Sequence, residues 1–302
     1  MTPPISLALG PLLFHWPADK VADFYAAIAD EAPLDRVYLG EAVCGKRLPR
    51  MRKTFEAAAE RLARAGKEVV LTSLAMPATA GERRVQEGLL GAGDGLVEIN
   101  DVSALMQITP GRPFVAGPLL NIYNEAAAAE LMGRGCVRLC GNVELSLDAL
   151  GAIHRGSPTL ELELFAFGRL PLALAGRCHH ARLHDLHKDS CQFVCERDTD
   201  GLAVRTLDGR PFLALNGVQV MSHGVQLASP PVEELFQAGI AALRLSPQDL
   251  DMAEVGRGFR DYCDGKLDGE ALRSRLMQLK PPGEFVDGYP RGLAGWRSGA
   301  ET

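Results

Sequence analysis

Eight short apolar runs, separated by helix-like segments, constrain the fold of this 302-residue chain more than any other feature. Each run is bounded by glycine, proline or polar residues, a pattern typical of a buried strand. The runs are ISLALG (5–10), RVYLG (36–40), EVVLTS (68–73), GLVEIND (95–101), PFVAG (113–117), CVRLC (136–140), TLELELFAFG (159–168) and ALRLSP (242–247). Alternation of strands and helices indicates parallel strands joined by crossover helices. Eight such units predict an α/β fold of the (β/α)8 TIM-like barrel type.

The segments between the runs have helical periodicity. Apolar residues recur at intervals of three and four in 18–31, 50–66 and 123–135. Gly66 and Gly135 stand where helices usually end in glycine. An open doubly wound sheet is the alternative fold, but no glycine-rich dinucleotide-binding fingerprint follows the first strand.

One connection is far longer than the others. About seventy residues separate Gly168 from the eighth run, which is too long for an ordinary connection. We therefore predict one barrel domain over 1–302, with an insertion at about 169–241 after strand seven. The insertion contains a predicted β-hairpin, since AVRTL (203–207) and PFLALNGVQVMS (211–222) flank an Asp208-Gly209 turn signal.

Three of the seven cysteines lie close together within that insertion. Twelve residues separate Cys178 from Cys191, and three separate Cys191 from Cys195. The surrounding sequence is polar and rich in histidine, so packing as small apolar residues explains the cluster poorly. The first residues lack the basic and apolar pattern of a secretory leader, so we expect a reducing compartment, where metal ligands or free thiols are favoured over disulfides.

Cys44 stands alone, four residues beyond the second strand. In a parallel barrel the loops that follow the strands meet on one face, so Cys44 and the three inserted cysteines can project from the same rim. Four thiolates suit either a [4Fe–4S] cluster or a structural zinc ion. The spacing alone does not choose between them.

Composition and missing motifs exclude several classes of function. A net charge of −6 argues against broad binding to nucleic acid, and no apolar stretch is long enough to span a membrane. We expect a soluble, cytoplasmic protein. The sequence contains neither a GxSxG nor an HExxH motif, so peptidase activity is not expected.

Several segments together resemble peptidase family U32, and within it the members of oxygen-independent ubiquinone biosynthesis. They are RVYLGEAVCGKR around Cys44, FGRLPLALAGRC before Cys178, the spacing on to Cys191 and Cys195, LNGVQVMS and ALRLSPQ. The resemblance runs from about Leu9 to Gln248.

The resemblance implies a [4Fe–4S] cluster held by Cys44, Cys178, Cys191 and Cys195. It also implies a heterodimer with a homologous subunit that hydroxylates ubiquinone precursors, with prephenate as the hydroxyl donor. Because four cysteines would fill the ligand positions, electron transfer or structural support is the expected role of the cluster. The alternative is a metal-stabilised barrel that scaffolds other proteins of quinone biosynthesis, and a lipid-carrier protein is a further candidate partner.

Four other residues are candidates for binding substrate. Glu41 and Arg47, with Lys46, bracket Cys44 and are either solvated loop charges or contacts for an anionic substrate. Asn121 and Tyr123 follow strand five and are expected at the active rim, although Asn121 or Asn124 could instead cap the next helix.

The remaining unusual residues have structural interpretations. His179, His180, His184 and His187 are interpreted as solvated or as supporting the cysteine ligands. Cys136 and Cys140 are predicted to pack in the barrel, and Cys263 is predicted to be structural. The segment 289–296 has the aromatic and arginine content of an interface, or else closes the bottom of the barrel.

Overall fold

The computed structural model describes residues 4–93 and 95–299, and its central feature is a closed parallel barrel of eight strands. The barrel strands are β1 Ser6–Leu9, β2 Arg36–Leu39, β3 Glu68–Thr72, β4 Val97–Ile99, β5 Phe114–Ala116, β6 Cys136–Cys140, β7 Glu161–Leu174 and β11 Ile240–Leu245. Strands β1 to β7 pair in chain order, and β11 pairs with both β7 and β1, which closes the ring. The predicted TIM-like barrel is confirmed, and each predicted run overlaps its strand, although β11 begins two residues before its run and β7 continues beyond its run.

Helices link the strands. They are α1 Ala18–Glu31, α2 Leu48–Arg64, α3 Ala80–Gly91, α4 Glu125–Gly133, α5 Leu147–Gly156, α6 His179–Leu183, α7 Val232–Gln237, α8 Met252–Cys263 and α9 Gly269–Met277. Helix α1 buries Val21, Tyr25, Ile28 and Ala29, the face that its apolar spacing predicts. Gly66 and Gly135 adopt φ values of 79° and 107°, which fit their predicted place at helix ends. No helix in the described ranges is long and apolar enough to cross a bilayer.

The barrel interior is unexpectedly ionic. Arg244 pairs with both Glu98 and Glu163, and Arg36 contacts Glu163 with 2.6 Å between Nη1 and Oε1. Tyr38 donates a hydrogen bond of 2.8 Å to the same Glu163 oxygen. Burial raises the pKa of Glu163, but Arg244, Arg36 and Arg138 more than offset this and hold its pKa below the usual value. These charges fill the barrel and make its interior a packed core.

The insertion continues directly from barrel strand β7. Strand β7 is 14 residues long, and its second half leaves the barrel to pair antiparallel with β10, Gln219–Leu227. Strand seven therefore continues six residues beyond the predicted end at Gly168. Hydrogen bonds to β10 hold these extra residues in the strand, and the apolar pattern of the sequence does not reveal such a pairing.

Three further short strands complete the sheet. β8 (Leu202–Arg205) and β9 (Pro211–Asn216) form the predicted hairpin around Asp208-Gly209. The predicted second arm, 211–222, is in fact two strands, β9 and β10, that turn at Gly217 with a φ of 65°. β12 (Phe285–Val286) adds to the far side of β10. The segment that carries the three clustered cysteines lies between β7 and β8.

Candidate metal centre

The four predicted cysteine ligands lie on irregular segments at the ends of regular elements. Cys44 follows β2, Cys178 directly precedes α6, and Cys191 and Cys195 flank a tight turn before β8. All four thiols are free. Cys178 and Cys195 are buried, whereas Cys44 and Cys191 are half-buried against the main core.

Basic side chains next to Cys44 bind the distant insertion. Arg47 Nη2 donates to the Oδ1 of Asn216 at 2.6 Å and contacts the Sγ of Cys195 at 3.7 Å. Lys46 Nζ donates to the carbonyl oxygen of Lys188 at 2.7 Å. These contacts bring the loop of Cys44 against the segment that carries the other three cysteines.

Glu41 and Arg47 are both buried, with exposed fractions of 5% and 1%. The Glu41 carboxylate accepts hydrogen bonds from the backbone N–H groups of Val43 and Cys44, at 2.8 and 2.9 Å. Arg47 Nη1 lies 3.8 Å from that carboxylate. Glu41 therefore fixes the backbone of the Cys44 loop, and Arg47 lies next to its carboxylate. The interpretation of these two residues as solvated charges is wrong, because both are buried.

The pKa values of two of the thiols, Cys195 and Cys44, are raised. Burial raises the pKa of Cys195, the guanidinium of Arg47 lowers it, and the charges of Cys178 and Cys44 raise it again. Burial also raises the pKa of Cys44, again opposed by Arg47. A cation that bound these sulfurs would relieve both the burial and the mutual repulsion of their thiolates.

The turn between Cys191 and Cys195 has an unusual backbone. Gln192 and Phe193 adopt φ values of 51° and 55°, so two successive residues with side chains are left-handed. Such residues cost about 1–3 kcal/mol each and cluster at functional sites. Phe193 is held by the ring of His15, with 5.6 Å between centroids, and by the guanidinium of Arg50, 4.6 Å above its ring.

His180 fixes the other side of the site. Its Nδ1 accepts a hydrogen bond of 3.0 Å from the backbone N–H of Gly217, and its Nε2 lies 3.1 Å from Asp198. Its buried position agrees with a supporting role, whereas His187 is exposed. The remaining cysteines lie elsewhere: Cys140 packs in the barrel with Phe165 and Leu170.

The candidate ligands are soft thiol groups, and the buried guanidinium of Arg47 lies beside one of them, Cys195. Among residues 4–93 and 95–299, no group of three His, Cys, Asp or Glu side chains has the geometry to hold one metal ion. Four free thiols from two distant segments are nevertheless the ligands that iron–sulfur clusters use, and Arg47 beside them provides a positive charge. By chemistry the four thiols suit a thiolate-ligated cluster, and Cys44, Cys178, Cys191 and Cys195 remain its predicted ligands.

Asn121 and Tyr123 line a separate pocket on the barrel rim, of about 260 Å³. Tyr123 donates a hydrogen bond of 2.6 Å to Glu144, and Asn142 donates one of 2.9 Å to Asn121. Burial, followed by the hydrogen bond to Glu144, raises the pKa of Tyr123 to about 12. Asn124, and not Asn121, caps α4. Glu41 and Arg47 do not line this pocket, so the structure separates the four substrate candidates into two places.

Sequence reasoning missed Asn142 and Glu144. They follow β6 as Asn121 and Tyr123 follow β5, so the same barrel rule would have identified them. The centre of the barrel mouth is closed, since the cavity beside Arg244 and Phe165 measures only about 10 Å³. The open part of the mouth is the rim pocket.

The tail segment packs against the insertion. Tyr289 and Trp296 line a groove of about 550 Å³ together with Leu172 and Phe212. Trp296 is 72% exposed and Phe212 is 57% exposed. The tail thus lies beside the hairpin that follows strand seven.

Comparison with known proteins identifies the family of the chain and distant relatives. The family described as Peptidase family U32 matches residues 18–286. The tRNA hydroxylation protein P of Helicobacter pylori strain ATCC 700392 / 26695 is 26% identical over 203 residues, which cover 62% of this chain and 48% of that protein. The protein of the same name from strain J99 / ATCC 700824 is 26% identical over 198 residues, 61% of this chain and 47% of that protein. The chain thus spans about half the length of these curated relatives.

The chain also has a weak similarity to a solved structure. It is the N-acetylneuraminate lyase from Mycoplasma synoviae, with a TM-score of 0.43 and 7% identity over 91% of this chain and 78% of the lyase. The assignment of the barrel depends on the strand pairing described above.

Proposed function

Because this chain belongs to peptidase family U32, we propose that it is the [4Fe–4S] subunit of an oxygen-independent hydroxylase of the UbiU–UbiV type. Its substrates would be ubiquinone precursors, with prephenate as the hydroxyl donor. The convergence of Cys44 with the insertion that carries Cys178, Cys191 and Cys195 is the observation that carries this proposal. The names of the relatives, both hydroxylation proteins, support the reaction class.

A cluster would supply the redox chemistry that hydroxylation without dioxygen requires. The chain itself contributes the surroundings of the cluster. Arg47 is buried against Cys195 and places a fixed positive charge next to the sulfurs. A neighbouring cation favours the reduced, more negative form of a cluster and therefore raises its reduction potential.

The rim pocket is the candidate site for the aromatic ring of the substrate. Its volume of about 260 Å³ is close to the lower end of small-molecule sites. Tyr123 and Asn121 offer a hydroxyl and an amide to a ring oxygen, and Glu144 and Asn142 hold these two groups in place. Since Leu174 lines this pocket and Cys178 is four residues later, one short segment joins the ring site to the cluster ligands.

A homologous, UbiU-like subunit is the proposed partner. The exposed aromatic groove at Phe212 and Trp296 is a candidate contact for that subunit or for a lipid-carrier protein. Peptidase activity is not part of the proposal, despite the description of the family. The alternative is a metal-stabilised barrel that acts as a scaffold in quinone biosynthesis and performs no chemistry of its own.

A second candidate function is hydroxylation of tRNA, which the names of the two relatives favour. The net charge of −6 opposes it, because binding to nucleic acid draws most of its affinity from basic surfaces.

Anaerobic purification with the partner tests the proposal. We expect broad visible absorption with about four irons and four labile sulfides per chain, and loss of both in Cys191→Ala, with Cys263→Ala as the matched control. Quinone formation in anaerobic cells that carry Cys191→Ala should stop. Full quinone formation without a cluster would support the scaffold, and hydroxylated tRNA that disappears in the same variant would favour the second candidate.

A further inference from the structure

A pair of carboxamide side chains is buried at the turn that joins β9 to β10. Asn216 is the last residue of β9 and Gln219 is the first of β10, and the two residues pair directly across the turn. Both are 0% exposed. Residues that pair directly across a hairpin present their side chains on the same face, so both carboxamides lie on one side of this turn.

The turn is bound to both parts of the cysteine site. On one side, the backbone N–H of Gly217 donates to His180 Nδ1 at 3.0 Å, and its carbonyl oxygen accepts from the backbone N–H of His179 at 2.8 Å. These two histidines directly follow Cys178. On the other side, a Cβ atom at Gly217 would lie 2.7 Å from Nη2 of Arg47. The turn therefore lies directly against this guanidinium.

The carboxamide of Asn216 and the thiol of Cys195 contact the same nitrogen atom. Arg47 Nη2 donates to Asn216 Oδ1 at 2.6 Å and lies 3.7 Å from Cys195 Sγ. Because a guanidinium can only donate, this contact fixes which end of the carboxamide is the oxygen. The amide nitrogen of Asn216 must therefore find a different partner.

The nitrogen atoms around this turn are donors without acceptors. Asn216 Nδ2, Gln219 Nε2 and Arg47 Nε are shielded from solvent and have no hydrogen-bond partner among the described residues, and the same holds for Gln219 Oε1. A buried polar group without a partner costs about 1–3 kcal/mol. Three donor nitrogens beside one acceptor oxygen indicate that a group which accepts hydrogen bonds belongs here.

Sulfur is the acceptor that this position offers. A neutral thiol accepts hydrogen bonds weakly, whereas a thiolate or the inorganic sulfide of a cluster carries negative charge and accepts them more strongly. Water is the other acceptor found in protein interiors. A water molecule, however, brings two hydrogens of its own and would add donors to a region that is already rich in them.

From these observations we infer that the carboxamides of Asn216 and Gln219 donate hydrogen bonds to the sulfur atoms of the proposed cluster. The inference rests on the proposed function for the presence of the cluster, and it deepens that function by naming residues that set the reduction potential. Hydrogen bonds to sulfur stabilise the more negative, reduced form of a cluster and raise its potential. The two amides therefore make the cluster easier to reduce.

The test is a dye-mediated redox titration of the anaerobically purified full chain, loaded with iron and sulfide. Gln219→Met keeps the shape of the side chain and removes the donor. At a fixed ambient potential it should lower the ratio of reduced to oxidised cluster by about three- to tenfold, which converts to about 28–59 mV for a one-electron couple. Asn216→Leu should act in the same direction. Gln226→Met is the matched control, because Gln226 is a buried glutamine of the same strand whose amide donates to the carbonyl oxygen of Phe165. It should leave the ratio unchanged.

A second measurement does not depend on the folding of a variant. The side-chain amides of glutamine and asparagine are labelled with ¹⁵N, and the reduced cluster of the wild-type chain is studied by pulsed EPR. We expect a ¹⁵N coupling together with exchangeable protons, and Gln219→Met should weaken both. Amides that contact only water would give no ¹⁵N coupling.

The inference and the proposed function can fail separately. A cluster that shows the expected shifts in potential but supports no hydroxylation would overturn the proposed function and leave the inference standing. Normal hydroxylation with an unchanged potential in Gln219→Met and Asn216→Leu, or with no ¹⁵N coupling in the wild type, would overturn the inference. A chain that takes up no iron and sulfide would overturn both.

Discussion

Two buried arginines, one in the barrel and one beside the cysteines, are compensated very differently. Arg244 is paired with two carboxylates, Glu98 and Glu163, and lies over the ring of Tyr38 at 3.6 Å. Arg47 has a single carboxylate, Glu41, at 3.8 Å, and its other contacts are an amide, a carbonyl oxygen and the thiol of Cys195. The charge of Arg244 in the barrel interior is thus balanced by carboxylates of the protein itself.

At the cysteine site, by contrast, the positive charge of Arg47 would be fully balanced only by thiolates. The Nε atom of Arg47 is buried with no partner among the described residues. Thiolates bound to a cluster would place negative charge next to this guanidinium, whereas neutral thiols do not. The comparison indicates that one arginine serves the stability of the fold and that the other serves the charge state of a site.

The largest effect should follow from breaking the barrel network. Arg244→Met leaves Glu98 and Glu163 buried without their shared cation, and we expect a loss of about 3–5 kcal/mol in the free energy of unfolding. Urea denaturation measures it. Arg52→Ala is the control, because the Arg52–Glu56 pair is exposed and should contribute less than about 0.5 kcal/mol. Equal stability of Arg244→Met and wild type would contradict the distinction.

Arg47→Met should act on the site more than on the fold. We expect a stability loss of about 1–3 kcal/mol from the hydrogen bond it leaves unmade at Asn216. Retention of metal should fall by about 10- to 100-fold, as for other residues that support metal ligands. Iron content and visible absorption measure this, with Arg52→Met as the control, since Arg52 is an exposed residue of the same helix that pairs with Glu56 and, among the described residues, contacts no part of the cysteine site. A normal iron content in Arg47→Met would refute the role assigned to this arginine.

Acid should weaken the cysteine region before the barrel. Burial, aided by Arg47 and Arg50, lowers the pKa of His15 to about 4, below the value of about 6.5 in an unfolded chain. The unfolded state therefore binds more protons between these two values, so stability is complete above about pH 6.5 and falls as the pH drops toward 4. The lowered pKa of Glu163 removes stability only below its unfolded value of about 4.3.

Urea denaturation at pH 7, 6 and 5 checks this order. The slope between pH 7 and 5 should decrease in His15→Phe and persist in His187→Phe, because His187 is 79% exposed. An identical slope in wild type and His15→Phe would show that other groups set the acid response.

The smallest effect on stability is expected in the rim pocket. Tyr123→Phe removes a half-exposed hydrogen bond to Glu144, which should cost less than about 1 kcal/mol. If the ring of the substrate binds here, hydroxylation in the assembled complex should nevertheless fall several-fold, mainly through a higher KM. Tyr289→Phe is the control, because Tyr289 lines the tail groove and not this pocket. Unchanged kinetics would remove the ring substrate from the rim.

The barrel could be predicted from sequence because its strands and helices are each encoded by a pattern of neighbouring residues. Strand runs such as RVYLG and CVRLC follow from burial of nearly every strand residue, and helical spacing such as that of Val21, Tyr25 and Ile28 follows from burial of one helix face. The ionic interior was not recognised, yet Arg36, Glu98 and Arg244 each stand as a single charge in an apolar strand. That pattern is a signal for inward pairing, because a lone charge in a barrel strand must find its partner across the ring.

The insertion was harder to predict because its contacts are distant in sequence. The spacing of Cys178, Cys191 and Cys195 indicated a shared site, but no local pattern shows that Arg47 would be buried against Cys195. The left-handed Gln192 and Phe193 also gave no signal, since neither residue type favours that conformation. Likewise, the extra half of β7 depends on pairing with β10, some fifty residues later.

The continuity of β7 has a mechanical consequence. Its second half leaves the barrel beyond Gly168, whose φ of 118° changes the direction of the strand, and ends at Leu174 beside the rim pocket. Cys178 follows Leu174 by only four residues. A ligand that displaced Leu172 or Leu174 would therefore shift the segment that positions a proposed cluster ligand, so that filling of the rim pocket and the position of Cys178 would be coupled.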